Sequence, residues 1–196
     1  MIWSALVPFK APAEGKRRLS ERLSPDERAR LSLALFERTV DVLRSVPAIG
    51  AVHLLSEIKP AGWAGGWLRD ESRGLNAEIE AARAALGAVP LLVIHADLPL
   101  VDAADVAALL DHARNDGVQI APDRHGEGTN AIALTPGRAF RFAFGPGSLA
   151  RHRPQAGDAS LLMRPGLALD CDTPDDLDLA LAAGFALPWG GARDKT

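Results

Sequence analysis

Pro90-Leu91-Leu92-Val93-Ile94-His95-Ala96-Asp97-Leu98-Pro99 is the stretch on which the reading of this chain turns. Residues 90–94 are a continuous apolar run of strand length, the pattern of a strand covered on both faces inside a parallel sheet. A carboxylate, Asp97, follows directly, ahead of a Leu-Pro break. In both directions from this run, short apolar segments alternate with amphipathic ones. Residues 2–7, 51–56, 118–121, 130–134 and 167–172 read as further strands. Ser24-Pro25-Asp26-Glu27 is a helix start, with a serine cap, proline in the first turn and glutamate closing a capping box. Leu31, Leu35, Val42 and Val46 then share one helical face, and Pro47 ends it. Residues 76–86 and 102–114 predict two more helices, the second closed by Gly117, and Thr173-Pro174-Asp175-Asp176 caps a last one ending at Gly184. The glycine-rich segment 60–67 reads as a surface loop with its tryptophans tucked beneath. Such alternation predicts an α/β three-layer sandwich with a mostly parallel sheet. It forms one domain over residues 1–187, followed by a loose tail at 188–196.

The 196 residues are 47% hydrophobic and 24% charged, so a large core is available and disorder is excluded. The net charge of −3 offers no pull toward nucleic acid or a membrane surface. The single cysteine, Cys171, excludes an internal disulfide and any cysteine-rich metal centre, and reads as a small core residue. No basic leader opens the chain and no apolar run approaches spanning length, which predicts a cytoplasmic protein. Lysine is scarce: it occurs only at Lys10, Lys16, Lys59 and Lys195, and the first two share one loop.

Ligands of parallel α/β sheets bind beyond the carboxyl ends of the strands. That rim collects Lys10 and Lys16 after the first strand, Asp97 after the 90–94 run, and Asp170 and Asp172 at the end of the last strand. Asp170 and Asp172 share one side of that strand and Cys171 takes the other. Three carboxylates suit a hard cation such as magnesium, which prefers oxygen and shares its shell with phosphates. Lysine is a point charge for phosphate. Each residue also has a plainer role open to it. The aspartates at 170 and 172 could cap the following helix, Asp97 could be a turn residue, and the lysines could be solvated. A second anion site is suggested by Gly126-Glu127-Gly128-Thr129-Asn130 and Phe144-Gly145-Pro146-Gly147-Ser148, where glycines and a hydroxyl stand at a helix start. An ordinary serine N-cap is the alternative there. The histidines show no ligand spacing and read as structural or surface residues. A Walker loop, a Gly-x-Gly-x-x-Gly fingerprint and a nucleophile elbow are all absent.

Val7-Pro8-Phe9-Lys10, Gly15-Lys16-Arg17-Arg18-Leu19-Ser20, Gly74-Leu75-Asn76, Ala96-Asp97-Leu98-Pro99, Gly128-Thr129-Asn130-Ala131, Phe144-Gly145-Pro146-Gly147-Ser148 and Asp170-Cys171-Asp172-Thr173-Pro174 run in one order. That order resembles the CofC/FbiD guanylyltransferases over residues 1–184. The resemblance implies a GT-A-like, MobA-related nucleotidyltransferase fold. It also implies GMP transfer from GTP to a phosphorylated three-carbon acid, with Mg2+ and release of pyrophosphate, in coenzyme F-420 biosynthesis. The acids of the family are phosphoenolpyruvate, 3-phospho-D-glycerate and 2-phospho-L-lactate, and the alanine- and arginine-rich composition favours the first two.

By the same resemblance Thr129, Gly145 and Ser148 hold the acceptor, and Asp97, Asp170 and Asp172 the metal. Lys10, Lys16, Gly74 and Asn76 meet the nucleotide, and Lys16 and Asp97 carry catalysis. Arg17 departs from the small residue common after the lysine. The rivals are another nucleotidyltransferase of this fold, of the molybdenum-cofactor or sugar-nucleotide type, and a non-catalytic GTP-binding protein. The expected partners are GTP and the small acid, with no nucleic acid and no membrane, and a homodimer is compatible with the sequence.

Overall fold

The structure, a computed structural model, describes residues 1–10, 16–159 and 161–190. Gly15 of the lysine-bearing motif and tail residues 191–196 lie outside the described residues.

Among the described residues six strands form one sheet: β1 (Trp3–Pro8), β2 (Ile49–Ser56), β3 (Gly66–Arg69), β4 (Leu91–Ile94), β5 (Val118–Pro122) and β6 (Thr129–Leu134). Their order is β3-β2-β1-β4-β6-β5. β1 pairs in parallel with β2 and β4, and β2 with β3, while β6 runs antiparallel to both neighbours. The fully buried β4 is thus central, as its unbroken apolar run requires. The short turn between β5 and β6 permits only a hairpin, so the sheet is mixed at that end.

Alternate residues feed two cores. Ala5, Val7, Leu54, Leu92 and Ile94 face α1 (Pro25–Ser45) and α3 (Ala103–Asp116). Leu6, Leu55, Val93, Ile132 and Leu134 face α2 (Leu75–Leu86), α4 (Ser148–Ala156) and the Phe140, Phe142 and Phe144 run. The capping boxes are present: Ser24 with Glu27, Asp102 with Asp105, and Thr173 with Asp176 at the start of α6 (Pro174–Ala182).

Two expectations are corrected. Residues 167–172 are not a strand. Pro165 starts a helical turn, α5 (Pro165–Ala168), whose Leu167 and Ala168 carbonyls accept from the Asn130 side chain. Both edges of β4 are already taken by β1 and β6, so residues 169–172 find no ladder. They cross the rim outside the sheet, with the Cys171 amide donating to the Asp97 carbonyl at 3.0 Å. The 60–67 segment does place Trp63 and Trp67 against the core, but it also starts β3, which glycine and short length conceal.

A third cluster of Leu19, Leu23, Leu31, Leu35, Cys171 and Leu177 pins the segment after Lys16 onto α1 and α6. Leu187 and Trp189 pack on it, Trp189 under the Arg30 guanidinium at 5.3 Å.

Candidate active site

Lys16 enters the rim in the left-handed region, at φ 54°, immediately before the 3₁₀ turn Arg17–Leu19. A non-glycine residue there costs on the order of 1 kcal/mol, so the surroundings must hold it. They do so at both ends. Leu19 is fully buried, and the Lys16 ammonium donates to the Cys171 carbonyl at 2.7 Å. The same nitrogen stands 3.3 Å from Asp97 Oδ2 and 3.4 Å from Asp172 Oδ1, with the Lys16 side chain 6% exposed. Burial alone would lower the lysine's pKa. Attraction to Asp97 and Asp172 outweighs it and holds the ammonium above its ordinary value. Burial likewise works to raise Asp97, but Lys16 and His95 bring it below the usual carboxylate range. Asp170 is pushed up, first by burial and then by repulsion from Asp97, Asp172 and Asp176. Among the described residues the rim is therefore a concentration of negative charge around the buried Lys16 ammonium.

These groups line a cleft of about 300 Å³. Pro8, Phe9 and Leu75 form its apolar part, and Lys10, Lys16, Asp70, Asp97 and Asp172 its polar part, with His95 between. Asp170 is not among the lining residues. Helix capping does not consume Asp170 or Asp172, because the cap of α6 is Thr173 with Asp176. Cys171 points into the leucine cluster, and burial pushes its thiol up to about 12, which removes it as a nucleophile.

The fit to magnesium rests on two features. Asp97 Oδ1 is buried and has no hydrogen-bond partner among the described residues. Asp170 is raised first by its own burial and then by the neighbouring carboxylates. Among the described residues no three acidic, histidine or cysteine side chains stand close enough to chelate an ion unaided. The expected set of Asp97, Asp170 and Asp172 is therefore not brought together as one three-ligand group.

The residues expected to hold the acceptor gather next door. Thr129 starts β6, and the His95 amide donates to the neighbouring Asn130 carbonyl at 2.9 Å, so Thr129 sits beside His95 at the ends of two adjacent strands. Gly145 (φ 117°) and Gly147 (φ 66°) fold the chain into α4, whose first residue is Ser148. The Ser148 and Leu149 amides already donate to the Gly145 and Glu127 carbonyls. The expected cradle of convergent amides is to that extent used by the fold, and the side chains of Thr129 and Ser148 are left as the polar groups there. Arg151 clamps the Ala143, Pro146 and Gly145 carbonyls.

Gly74 and Asn76 lie apart from the Lys16 cleft, although Leu75 between them lines it. The Asn76 carboxamide donates to the Phe144 carbonyl at 3.0 Å and accepts its amide at 2.7 Å. It ties α2 to the loop that carries Gly145.

The sequence profile of the family described as guanylyl transferase CofC like matches residues 3–184. This chain belongs to that family. A phosphoenolpyruvate guanylyltransferase of Sphaerobacter thermophilus is 40% identical, covering 100% of this chain and 99% of its own. One from Rubrobacter xylanophilus is 39% identical over 92% and 94%. In structure, a nucleotidyl transferase from Methanothermobacter superposes with a TM-score of 0.68 at 18% identity, covering 93% of this chain and 99% of that one. A 2-C-methyl-D-erythritol 4-phosphate cytidylyltransferase from Thermus thermophilus gives 0.52 at 22%, over 93% and 98%. These two likenesses show the fold alone, an α/β sandwich shared with both proteins. The CofC-like chain is a guanylyltransferase by membership.

Among the described residues of this CofC-like protein no helix is long and apolar enough to cross a membrane. Histidines are what the sequence reading passed over. His95 lines the cleft, with its Nε2 buried and unpartnered among the described residues. His152 contacts Thr129. The available signals were positional: His95 stands two residues before Asp97, and His152 one helical turn after Ser148, on the same face.

Proposed function

We propose that this protein transfers GMP from GTP to phosphoenolpyruvate, with magnesium, releasing pyrophosphate in the cytoplasm, as a step of coenzyme F-420 assembly. The observation that carries the reading is the adjacency of two unlike half-sites. Asp97, Lys16 and Asp172 form a charged cleft, and Thr129 stands next to it across His95. The name borne by the relatives supports phosphoenolpyruvate as the acid.

The acceptor phosphate has a second pKa near 6 and is largely dianionic at neutral pH. It is already a nucleophile and needs no general base. One of its oxygens attacks the α-phosphorus of GTP. A new P–O bond forms, the bond from the α-phosphorus to the α,β-bridging oxygen breaks, and its electron pair leaves with pyrophosphate. Asp97 and Asp172 are the residues that would hold magnesium; Asp170, the third expected ligand, does not line the cleft. Bound magnesium supplies charge neutralisation on the triphosphate oxygens. Lys16, fixed by Leu19 and the Cys171 carbonyl, delivers its positive charge at the same place. Lys10, exposed at the mouth of the cleft, meets the outer phosphates. Thr129, Gly145 and Ser148 hold the acid so that its oxygen faces the α-phosphorus, and this alignment accounts for much of the acceleration. The apolar walls at Pro8, Phe9 and Leu75 accommodate the base.

The direct experiment incubates the protein with GTP, magnesium and each of phosphoenolpyruvate, 3-phospho-D-glycerate and 2-phospho-L-lactate, and measures pyrophosphate. Phosphoenolpyruvate is expected to turn over fastest. No pyrophosphate with any of the three rejects the reading, and GTP bound without turnover would point to a non-catalytic binder. Ser148→Ala is expected to raise the KM of the acid about tenfold through loss of a hydrogen bond to a charged group, and that of GTP by much less. The reverse ratio would mean that the two half-sites are exchanged.

A further inference from the structure

Thr129 is 2% exposed, and its hydroxyl lies 3.0 Å from Nδ1 of His152, which is fully buried. The other ring nitrogen, Nε2, is 2.8 Å from the amide of Ala143. An amide N–H only donates, so Nε2 must offer its lone pair. A neutral imidazole whose Nε2 accepts carries its proton on Nδ1. Nδ1–H then donates to Thr129 Oγ1 and occupies one of its lone pairs. The threonine's own proton is left to point elsewhere, and among the described residues no second partner takes it.

The ring has reason to stay neutral. Phe140 and Phe144 pack on it at 5.5 and 5.0 Å between centroids. Burial first, and then the nearby Arg151 and His95, push its pKa down to about 4. A second proton would also meet the Ala143 amide head-on.

We propose that His152 is a positioning residue for acceptor binding: through its fixed tautomer it makes the Thr129 hydroxyl a donor aimed at the phosphorylated acid. This rests on the reading that Thr129 touches the acid. An unconstrained hydroxyl presents either lone pairs or a proton, and an anion is served only by the proton. Fixing the direction beforehand lowers the ordering cost of binding. The imidazole also joins three pieces of the acceptor side. It belongs to α4 along with Ser148, accepts from the loop that carries Gly145, and donates to the first residue of β6.

The test is steady-state kinetics with GTP, magnesium and the acid on His152→Phe, Thr129→Val and the double variant. Phenylalanine keeps the ring and removes both nitrogens. The acid's KM is expected to rise about tenfold in His152→Phe, with the KM of GTP changed by less than about twofold. In the Thr129→Val background the His152 change is expected to add less than about twofold, because its route to the acid is gone. A folded His152→Phe protein with an unchanged acid KM, or two effects that multiply in the double variant, overturns the positioning role. Nitrogen-15 NMR of histidine-labelled wild type needs no variant. Protonated Nδ1 with bare Nε2 at neutral pH is expected, and the opposite tautomer overturns the proposal even if the variants fail to fold. Wild type that turns over none of the acids overturns the acceptor reading itself, and this assignment with it. That is a different result from an active enzyme indifferent to His152.

Discussion

Asp97→Asn is expected to lower the rate of guanylyl transfer about a hundredfold to a thousandfold and to leave the protein folded. The substitution keeps the shape and one carbonyl oxygen, so the contact with the Lys16 ammonium, now 3.3 Å, can persist as an ordinary hydrogen bond. What disappears is the negative charge beside a buried oxygen that has no partner among the described residues. An amide there would contribute no negative charge toward the divalent cation proposed for this rim. Pyrophosphate release measures the rate, and circular dichroism with a thermal midpoint verifies the fold. Asp172→Asn is expected to act in the same direction. Wild-type rates in both variants would remove the metal site from this rim.

Lys16→Met has the second large effect, and it shows in stability as well as rate. The lost ammonium leaves Asp97 and Asp172 facing each other and Asp170 without their shared counter-charge. Removing one partner of a fully buried pair costs several kcal/mol. Here Asp172 is about half exposed, so a loss of about 2 kcal/mol is expected in denaturant unfolding at neutral pH. The pH dependence has a definite sign. The folded Asp97 carboxyl lies below its ordinary pKa, so its share of the stability is present above the ordinary aspartate range and is lost as the solution is acidified through the depressed value. Lys16 is raised, so its share is complete everywhere below the ordinary lysine range. The gap between wild type and variant should therefore be widest near neutrality and close below about pH 4. A gap independent of pH would mean that Lys16 stabilises through packing of its stem rather than through charge. The rate is expected to fall on the order of a hundredfold, since the fixed cation proposed to meet the triphosphate is gone.

The apolar run before His95, the Ser24 and Thr173 caps and the Gly117 stop were legible because each depends on local chemistry that neighbouring residues supply. The rim residues were legible for a different reason: residues that follow parallel strands come out at one edge, whatever the details of packing. The 167–172 segment was misread because a short apolar run suits either a strand or a helical turn. Only the occupancy of both edges of β4 decides between them. β3 was missed because its pairing partner, and not its own four residues, makes it a strand.

The class of fold, and the gathering of Lys16, Asp97 and Asp172 at one rim of the sheet, followed from the order of residues along the chain. Periodicity, caps and strand ends are local properties, and they survive without knowledge of the partners. The tertiary structure decided which groups meet. It set Lys16 between Asp97 and Asp172 through a carbonyl from the far end of the chain. It turned Asn76 onto the Phe144 backbone, and it brought His152 to Thr129. These contacts join residues far apart in sequence, and a hydrogen bond depends on distances of tenths of an ångström that packing alone imposes.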